Sequence, residues 1–326
     1  MAKKRILSGN RPTGSLHLGH LFGALDNWIA LQDDYDCYYF AADWHALTSE
    51  FEDTRIIQPS IREMIMDWIA VGLDPERSTI FIQSRIKEHA ELYLIMGMLT
   101  TVSRLERVPS YKEFQVQTGR DLSTYGFLGY PVLQAADILM YRAHGVPVGE
   151  DQVPHVELTR ELARRFNKFY REVFPEPESM LTRAARVPGT DGRKMSKSYD
   201  NAIYLADPPE EIDQKIRTMM TDPARKRRTD PGDPNKCPVF DLHKVYSGPD
   251  VLSWVIDGCS NASIGCLDCK GKLIPLLIES LAPVRKKRAY FAAHPREVDE
   301  IIENGCTRAR AFAQETMELV REAIRL

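Results

Sequence analysis

No stretch of the 326-residue chain is apolar for long enough to cross a bilayer. The opening MAKKRILSG turns polar at once and has no apolar run of the secretory kind, so the cytoplasm is the expected location and no membrane is an expected partner. Charge of one sign is not in excess either. Against 46 Asp and Glu stand 43 Lys and Arg, a net −3 that offers no global argument for nucleic acid, although a basic patch fits inside a neutral average. Repeats and low-complexity tracts are missing, which argues against a repeat array. Cysteine is scarce at six residues, and the expected compartment disfavours disulfides. What remains is ordinary globular composition, 43% hydrophobic and 27% charged, in a chain long enough for two domains.

Residues 5–9 (RILSG) read as a short buried strand. A helical spacing follows at Leu21, Leu25, Trp28, Ile29 and Leu31. The aromatic-rich segment 36–47 and the segment 78–84 read as further strands, with IREMIMDWIAVGL between them as a helix ended by Gly. Strands alternating with helices predict a parallel α/β sheet. Segments 130–143 and 150–170 read as helices. Beyond about residue 200 come a Pro-rich charged loop and then helices to the end, so a domain over 1–200 and a helical one over 201–326 are expected.

Two pieces suggest chemistry. In RPTGSLHLGH, His17 and His20 stand three apart where a strand gives way to a helix, with Gly19 between them. Free N–H groups at a helix start favour anions, a spacing of three puts both rings on one side, and imidazoles donate to phosphate oxygens. Alone, the pair also suits capping or surface histidines. In GTDGRKMSKSYDN (189–201), Lys194 and Lys197 sit among small residues with Ser196 and Ser198. Such a loop can clamp a polyphosphate during reaction; in isolation it would read as a solvated basic turn.

Together they are far more specific. HLGH near the start and KMSKS some way past the middle resemble a class I aminoacyl-tRNA synthetase. With SGNRPTGSLHLGH, ADWHAL, LQAADIL, VPVGEDQ and ELTRELARRFN in this order, the chain resembles the bacterial tryptophanyl-tRNA synthetases over essentially its whole length. KMSKS matches letter for letter, and HLGH departs from the family's HIGH only by Leu18, a swap of similar volume. The resemblance implies a Rossmann-like catalytic domain and a helical anticodon-binding domain. It implies ATP-dependent activation of L-tryptophan to tryptophanyl-adenylate, then transfer to tRNA(Trp). The attacking carboxylate is ionised at pH 7 and needs no general base, so alignment and charge neutralisation suffice. Mg²⁺ is expected with the ATP, held by phosphates and water. His17, His20, Lys194 and Lys197 are the implied catalytic residues. Arg11, Pro12, Thr13, Gly19 and His20 would lie along ATP; Gly149, Glu150 and Asp151 would face ribose and adenosine; the Val187 backbone would meet adenine; Lys194, Met195, Ser196, Lys197 and Ser198 would close on pyrophosphate. The acids at 150 and 151 could otherwise simply cap the next helix. A homodimer is carried over from the family.

Indole N–H is only a donor, so a tryptophan pocket needs an acceptor in an apolar slot. Asp137 in LQAADILMY is an acid on a mostly apolar helix, costly to bury unpaired, and the family places its indole-reading Asp here. A solvent-facing acid is the alternative. Tyr130, Gln134, His45 and Gln152 would orient the polar end or form the wall, and Leu7, Val146 and Val148 would line the slot. Gln134 departs from the Met of many bacterial tryptophanyl enzymes and makes YPVLQAAD look like the tyrosyl enzymes. Leu7 argues against tyrosine, because several tyrosyl enzymes place there a Tyr that pairs with the substrate hydroxyl. The chain has no spare length for an inserted editing domain.

Cys37 and Cys306 read as core thiols. Cys237, Cys259, Cys266 and Cys269 form C-x21-C-x6-C-x2-C, which fits a tetrahedral sulfur site, with unrelated structural thiols as the alternative. Spacing does not choose between Zn²⁺ and [4Fe–4S]. A subset of bacterial tryptophanyl enzymes resembles this region and carries the cluster, which makes the cluster the expectation. Basic runs at 225–228 and 285–288 are candidates for tRNA phosphate contact. A dinucleotide-forming nucleotidylyltransferase shares HxGH but leaves KMSKS, GEDQ and the helical half unexplained. A catalytically silent tRNA-binding relative would have no use for so complete a set of motifs.

Overall fold

The computed structural model describes residues 3–108, 124–181 and 187–326. Along the chain run β1 (Arg5–Asn10), α1 (Leu18–His20), a π-helical stretch (Leu21–Leu25), α2 (Asp26–Leu31), β2 (Asp36–Ala41), α3 (Asp43–Glu50), α4 (Ile57–Val71) and β3 (Ser78–Ile82). Next come α5 (Glu88–Met98), α6 (Val102–Leu105), α7 (Tyr125–Met140), β4 (Gly145–Val148), α8 (Val153–Phe169) and β5 (Glu178–Leu181). The remainder is helical: α9 (Pro209–Thr218), α10 (Pro238–Tyr246), α11 (Pro249–Ser260), α12 (Cys266–Ala293) and α13 (Pro295–Ile324). Among the described residues no helix is long and apolar enough to cross a membrane.

Contacts group the chain into two compact units, the first made of Met1–Gly14, Asn27–Thr182 and His294–Leu326, the second of Ser15–Asp26 and Arg183–Ala293. The first holds a five-stranded sheet in the order β3-β2-β1-β4-β5, every pair parallel. The order reverses between β1 and β4, which makes the carboxyl ends of those strands a topological switch point where open α/β sheets bind ligands. Residues 37–41 of β2 and all of β3 are buried, as strands covered on both faces must be. Trp28 stacks on Tyr39 with ring centroids 4.5 Å apart, and the Tyr39 hydroxyl donates to the Trp28 carbonyl at 3.0 Å. The last helix belongs to this unit. Gly305 of α13 lies so close to the Ile80 backbone that a Cβ has no room, and Arg308 donates to the carbonyls of Pro75 (2.6 Å) and Ser78 (3.1 Å).

Four elements differ from the sequence reading. The strand expected over 36–47 stops at Ala41, because Asp43 opens α3 and its carboxylate accepts from the Ser84 amide at 2.9 Å. The helix expected from Pro131 starts at Tyr125, where Thr124 Oγ1 accepts from the Phe127 amide at 3.2 Å, and Pro131 sits inside it. Strands β4 and β5 carry no strand-like sequence pattern; four residues each, with Pro147 inside β4, are too short to show alternation.

In the second unit the turn before α1 is zipped to residues 203–205: the Leu18 amide donates to the Ile203 carbonyl and the Leu205 amide to the Leu16 carbonyl, both at 3.0 Å. Helices α9 and α12 pack through Ile212, Ile216, Leu273, Leu277 and Leu281. Lys270 is buried, and its ammonium group donates to the carbonyls of Arg217 (2.7 Å) and Met219 (2.5 Å), satisfying orphan acceptors at the end of α9.

Candidate active site

The second unit gathers the two histidines and the lysine loop. His17 is the N-cap of α1, and its Nδ1 accepts from the Gly19 amide at 3.1 Å. His20 answers three residues on: the His17 amide donates to its Nδ1 at 3.2 Å. Both Nδ1 atoms are acceptors, so in the neutral rings both protons sit on Nε2 and both Nε2–H groups are available as donors. Gly19 makes this possible, since a Cβ there would stand 2.9 Å from the His17 ring. The ring centroids are 3.9 Å apart. Burial first, then Lys197 and Lys194, pushes His17 down to about 4; burial, His17 and the same lysines hold His20 well below its ordinary range. Both rings are therefore neutral donors at pH 7.

The lysine loop is built around Asn201, which is buried. Its Oδ1 accepts from the Ser196 amide at 2.8 Å, and its Nδ2 donates to Asp191 Oδ1 (2.7 Å) and to the Lys194 carbonyl (3.2 Å). Gly189 leaves no room for a Cβ beside it, and Gly192 turns the chain at φ +82. Met195 is buried, Lys194 is exposed and Lys197 half-buried, and the Ser196 and Ser198 hydroxyls are 2.9 Å apart. Val187 is buried where this segment begins.

A buried polar cluster occupies the first unit. Asp137 of α7 is wholly buried. Its Oδ2 accepts from His45 Nε2 of α3 at 2.9 Å, its Oδ1 from His89 Nδ1 of α5 at 2.6 Å, and both oxygens lie 2.9 Å from Gln83 Nε2. Burial pushes this carboxyl up, but the hydrogen bonds from His45 and His89 outweigh it and hold Asp137 below the usual carboxylate range. Beside it, His155 receives three of the expected residues. Tyr130 Oη is 3.0 Å from its Nε2, and Gln134 Oε1 and Gln152 Oε1 are each 2.9 Å from its Nδ1. A donating Nδ1–H leaves Nε2 to accept from the Tyr130 hydroxyl. Burial first, then His45, lowers His155 to about 4, against the opposing pull of Asp151. Leu7 on β1 and Val146 and Val148 on β4 are buried on neighbouring strands.

After β1, Arg11 donates to Ser49 Oγ at 3.3 Å and Pro12 is buried, with Thr13 next in the turn. After β4, Gly149, Glu150 and Asp151 are exposed, and Asp151 Oδ2 accepts from Gln152 Nε2 at 2.9 Å. Sequence reasoning missed Gln83, His89, Tyr141 and His155. A signal existed for one: Tyr130, Gln134, Asp137 and Tyr141 follow the 4-3-4 spacing of one helix face.

No cysteine is in a disulfide. Cys37 and Cys306 are buried. Burial, then Cys237, Cys259 and Cys266, pushes Cys269 up to about 12; Cys237 and Cys259 are likewise raised, first by burial and then by thiols of the set. The four are thus neighbours. Among the described residues, however, no group of three or more His, Cys, Asp or Glu side chains is drawn together closely enough to hold a metal ion, so the expected metal centre is not formed by this geometry. Arg225, expected to reach tRNA phosphate, instead donates to the carbonyls of Arg228 (2.9 Å) and Ile264 (2.6 Å); Lys226, Arg227 and Arg228 are exposed.

A parallel sheet with a switch point is an architecture that binds ligands at its strand ends, and two neutral histidine donors beside a lysine-serine loop suit a polyphosphate. Residues 2–282 match the family described as tRNA synthetases class I (W and Y), and the chain belongs to it. It is 54% identical over 325 residues to a tryptophan–tRNA ligase of Thermotoga maritima, with 99% of each chain covered. A tryptophan–tRNA ligase of Ralstonia nicotianae is 45% identical, covering 100% of this chain and 99% of that one. The crystal structure of tryptophanyl-tRNA synthetase from Campylobacter jejuni complexed with ADP and tryptophan superposes with TM-score 0.90 at 34% identity, covering 99% of this chain and all of that one.

The histidine geometry predicts a pH dependence of stability. His17 and His155 have folded-state pKa values of about 4 against 6.5 for the free group, so between these values the unfolded chain binds more protons. Stability should fall as pH drops from about 6.5 towards about 4. Urea midpoints measured across that range check it; His17→Gln should flatten the fall, and an unchanged slope would refute the neutral-ring reading.

Proposed function

We infer that this chain activates L-tryptophan with ATP, releasing pyrophosphate, and transfers it to tRNA(Trp). The observation that carries the reading is the pairing of two Nε2–H imidazoles with two lysines in one unit. The tryptophan carboxylate attacks the α-phosphate and the bond to the β-phosphate breaks. Charge grows on the leaving pyrophosphate, where the donors of His17 and His20 and the ammonium groups of Lys194 and Lys197 act, with Met195, Ser196 and Ser198 shaping the loop. Gly19 lets the phosphates approach the backbone. Arg11, Pro12, Thr13, Gly149, Glu150, Asp151 and the Val187 backbone take the rest of ATP, roles the family resemblance supports. Mg²⁺ neutralises phosphate charge when bound with ATP. Asp137 accepts from the indole N–H; Tyr130, Gln134, His45 and Gln152 orient the amino acid; Leu7, Val146 and Val148 line the slot.

Residues 1–200 serve activation in this reading, and the helical region 201–326 meets the tRNA anticodon. Exposed Lys226, Arg227, Arg228, Lys286 and Lys287 suit a salt-sensitive phosphate contact. The enzyme works in the cytoplasm. The homodimer is carried over from the family, and Leu94, Met98, Val102 and Tyr125, which are 59%, 75%, 59% and 73% exposed, are apolar side chains that a second copy would cover. Sedimentation equilibrium should return a dimer that Met98→Glu weakens; a monomeric wild type ends this part of the reading.

Cys237, Cys259, Cys266 and Cys269 would hold a [4Fe–4S] cluster, with Zn²⁺ as the alternative, once these neighbouring thiols are drawn together. Four free, neighbouring thiols are the right donor set for either, and a bound centre would staple the segment from 237 to 269. Anaerobically purified protein should contain iron and sulfide, or zinc, and Cys266→Ser should lose it and melt earlier. Protein free of both metals would refute the assignment.

Amino-acid-dependent ATP–pyrophosphate exchange is the central test. Exchange with tryptophan and not with tyrosine is expected, and Lys197→Ala should slow it at least tenfold, about 1.4 kcal/mol of barrier. Exchange with neither amino acid would favour the silent tRNA-binding relative.

A further inference from the structure

Asp137 is held by more donors than its burial alone requires, and one of them is itself held. His89 and Tyr141 are completely buried. His89 Nδ1 is 2.6 Å from Asp137 Oδ1, and His89 Nε2 is 2.9 Å from Tyr141 Oη. A carboxylate only accepts, so Nδ1 carries the proton; Nε2 of the neutral ring must then accept, and the Tyr141 hydroxyl donates. With a neutral ring, the order Tyr141 → His89 → Asp137 satisfies every atom of the chain. Tyr141 and Asp137 come from the same helix turn, four residues apart, while His89 comes from α5, so the chain locks two elements to one carboxylate.

The number of donors matters. A carboxylate offers about four acceptor positions. His89 holds Oδ1 and His45 holds Oδ2, while Gln83 Nε2 is shared between both oxygens at 2.9 Å, which fixes the plane of the group and leaves Gln83 as the contact an incoming donor can displace from one oxygen. Gln83 is fixed in turn, because its Oε1 accepts from the Trp44 amide at 3.1 Å. Of the three donors, Gln83 and His89 are wholly buried and only His45 has any exposure, 8%.

We propose that Tyr141 and His89 are positioning residues that hold the Asp137 carboxylate in one orientation, and so set the preference for an amino acid whose ring carries an N–H. The proposal rests on Asp137 being the indole acceptor. A merely structural role for the pair would affect every substrate equally; a positioning role would affect only a substrate with the N–H to donate.

The experiment compares tryptophan with 3-(benzothien-3-yl)alanine, in which sulfur replaces the N–H at nearly the same shape, in ATP–pyrophosphate exchange. Tyr141→Phe should lower kcat/KM for tryptophan about tenfold, mainly through KM, and leave the analogue's kcat/KM and the KM for ATP within about twofold. His89→Leu should do the same. His89→Asn, whose amide nitrogen falls near the position of Nδ1, should restore most of the preference. Equal losses for both substrates in Tyr141→Phe, or none, overturn the proposal. Tyr141→Phe removes a single oxygen, so the test survives a poorly folding His89→Leu. Asp137→Asn separates the two levels. If it abolishes the preference while Tyr141→Phe and His89→Leu do not, positioning alone is overturned. If the preference survives Asp137→Asn, the indole assignment falls and the positioning proposal with it.

Discussion

A fully buried anionic carboxylate has to be surrounded by donors that cannot turn away, and Asp137 imposes that demand on the first unit. The sheet meets it. His45 comes from α3, which opens directly after β2, and Gln83 from the turn directly after β3, so two donors leave the carboxyl ends of adjacent parallel strands. His89 arrives on α5, the next helix, and Tyr141 closes α7 behind Asp137 itself. A parallel sheet delivers all its carboxyl ends to one edge, which is why donors from distant points of the chain reach one carboxylate without a long loop.

The same logic of fixed acceptors runs through the polar rings. In His17 and His20 a backbone amide occupies Nδ1; in His89 and His155 one nitrogen faces a carboxylate or amide oxygen and the other a tyrosine hydroxyl. Each ring is thereby given one tautomer by its neighbours, and each presents a donor where an oxygen lies or can lie.

Much of this was legible. HLGH is a local motif that a strand–turn–helix reading suffices to place, KMSKS is legible as a lysine-serine loop, and VPVGEDQ was carried by the family resemblance. Asp137 stood out because an acid among Leu, Ala and Ile needs a reason. Gln83, His89 and His155 did not, since a Gln or His in isolation is compatible with a surface position, and only the meeting of α5, α7 and α8 makes them partners. Strands β4 and β5 were hidden by their length. The close approach of Gly305 of α13 to the Ile80 backbone is a contact that no local pattern encodes. The four cysteines are the reverse case: their spacing suggested a sulfur site, while the described side chains are neighbours that have not converged on a metal geometry.

The state of the two histidines constrains how the proposed reaction handles charge. Two imidazolium rings with centroids 3.9 Å apart, next to two lysines, would repel one another, and burial adds to the penalty. The unit therefore keeps the rings neutral and leaves the positive charge to the lysines, one exposed and one half-buried on a loop pinned by Asn201. Neutral donors in fixed positions stabilise growing phosphate charge without holding the ground-state polyphosphate too tightly, because their hydrogen bonds strengthen as the charge develops. Fixed lysines alone would attract ATP and pyrophosphate alike and slow product release. In the proposed reaction, dividing the work between rigid neutral rings and loop-borne ammonium groups would place the tightest interaction at the transition state, where it accelerates the step.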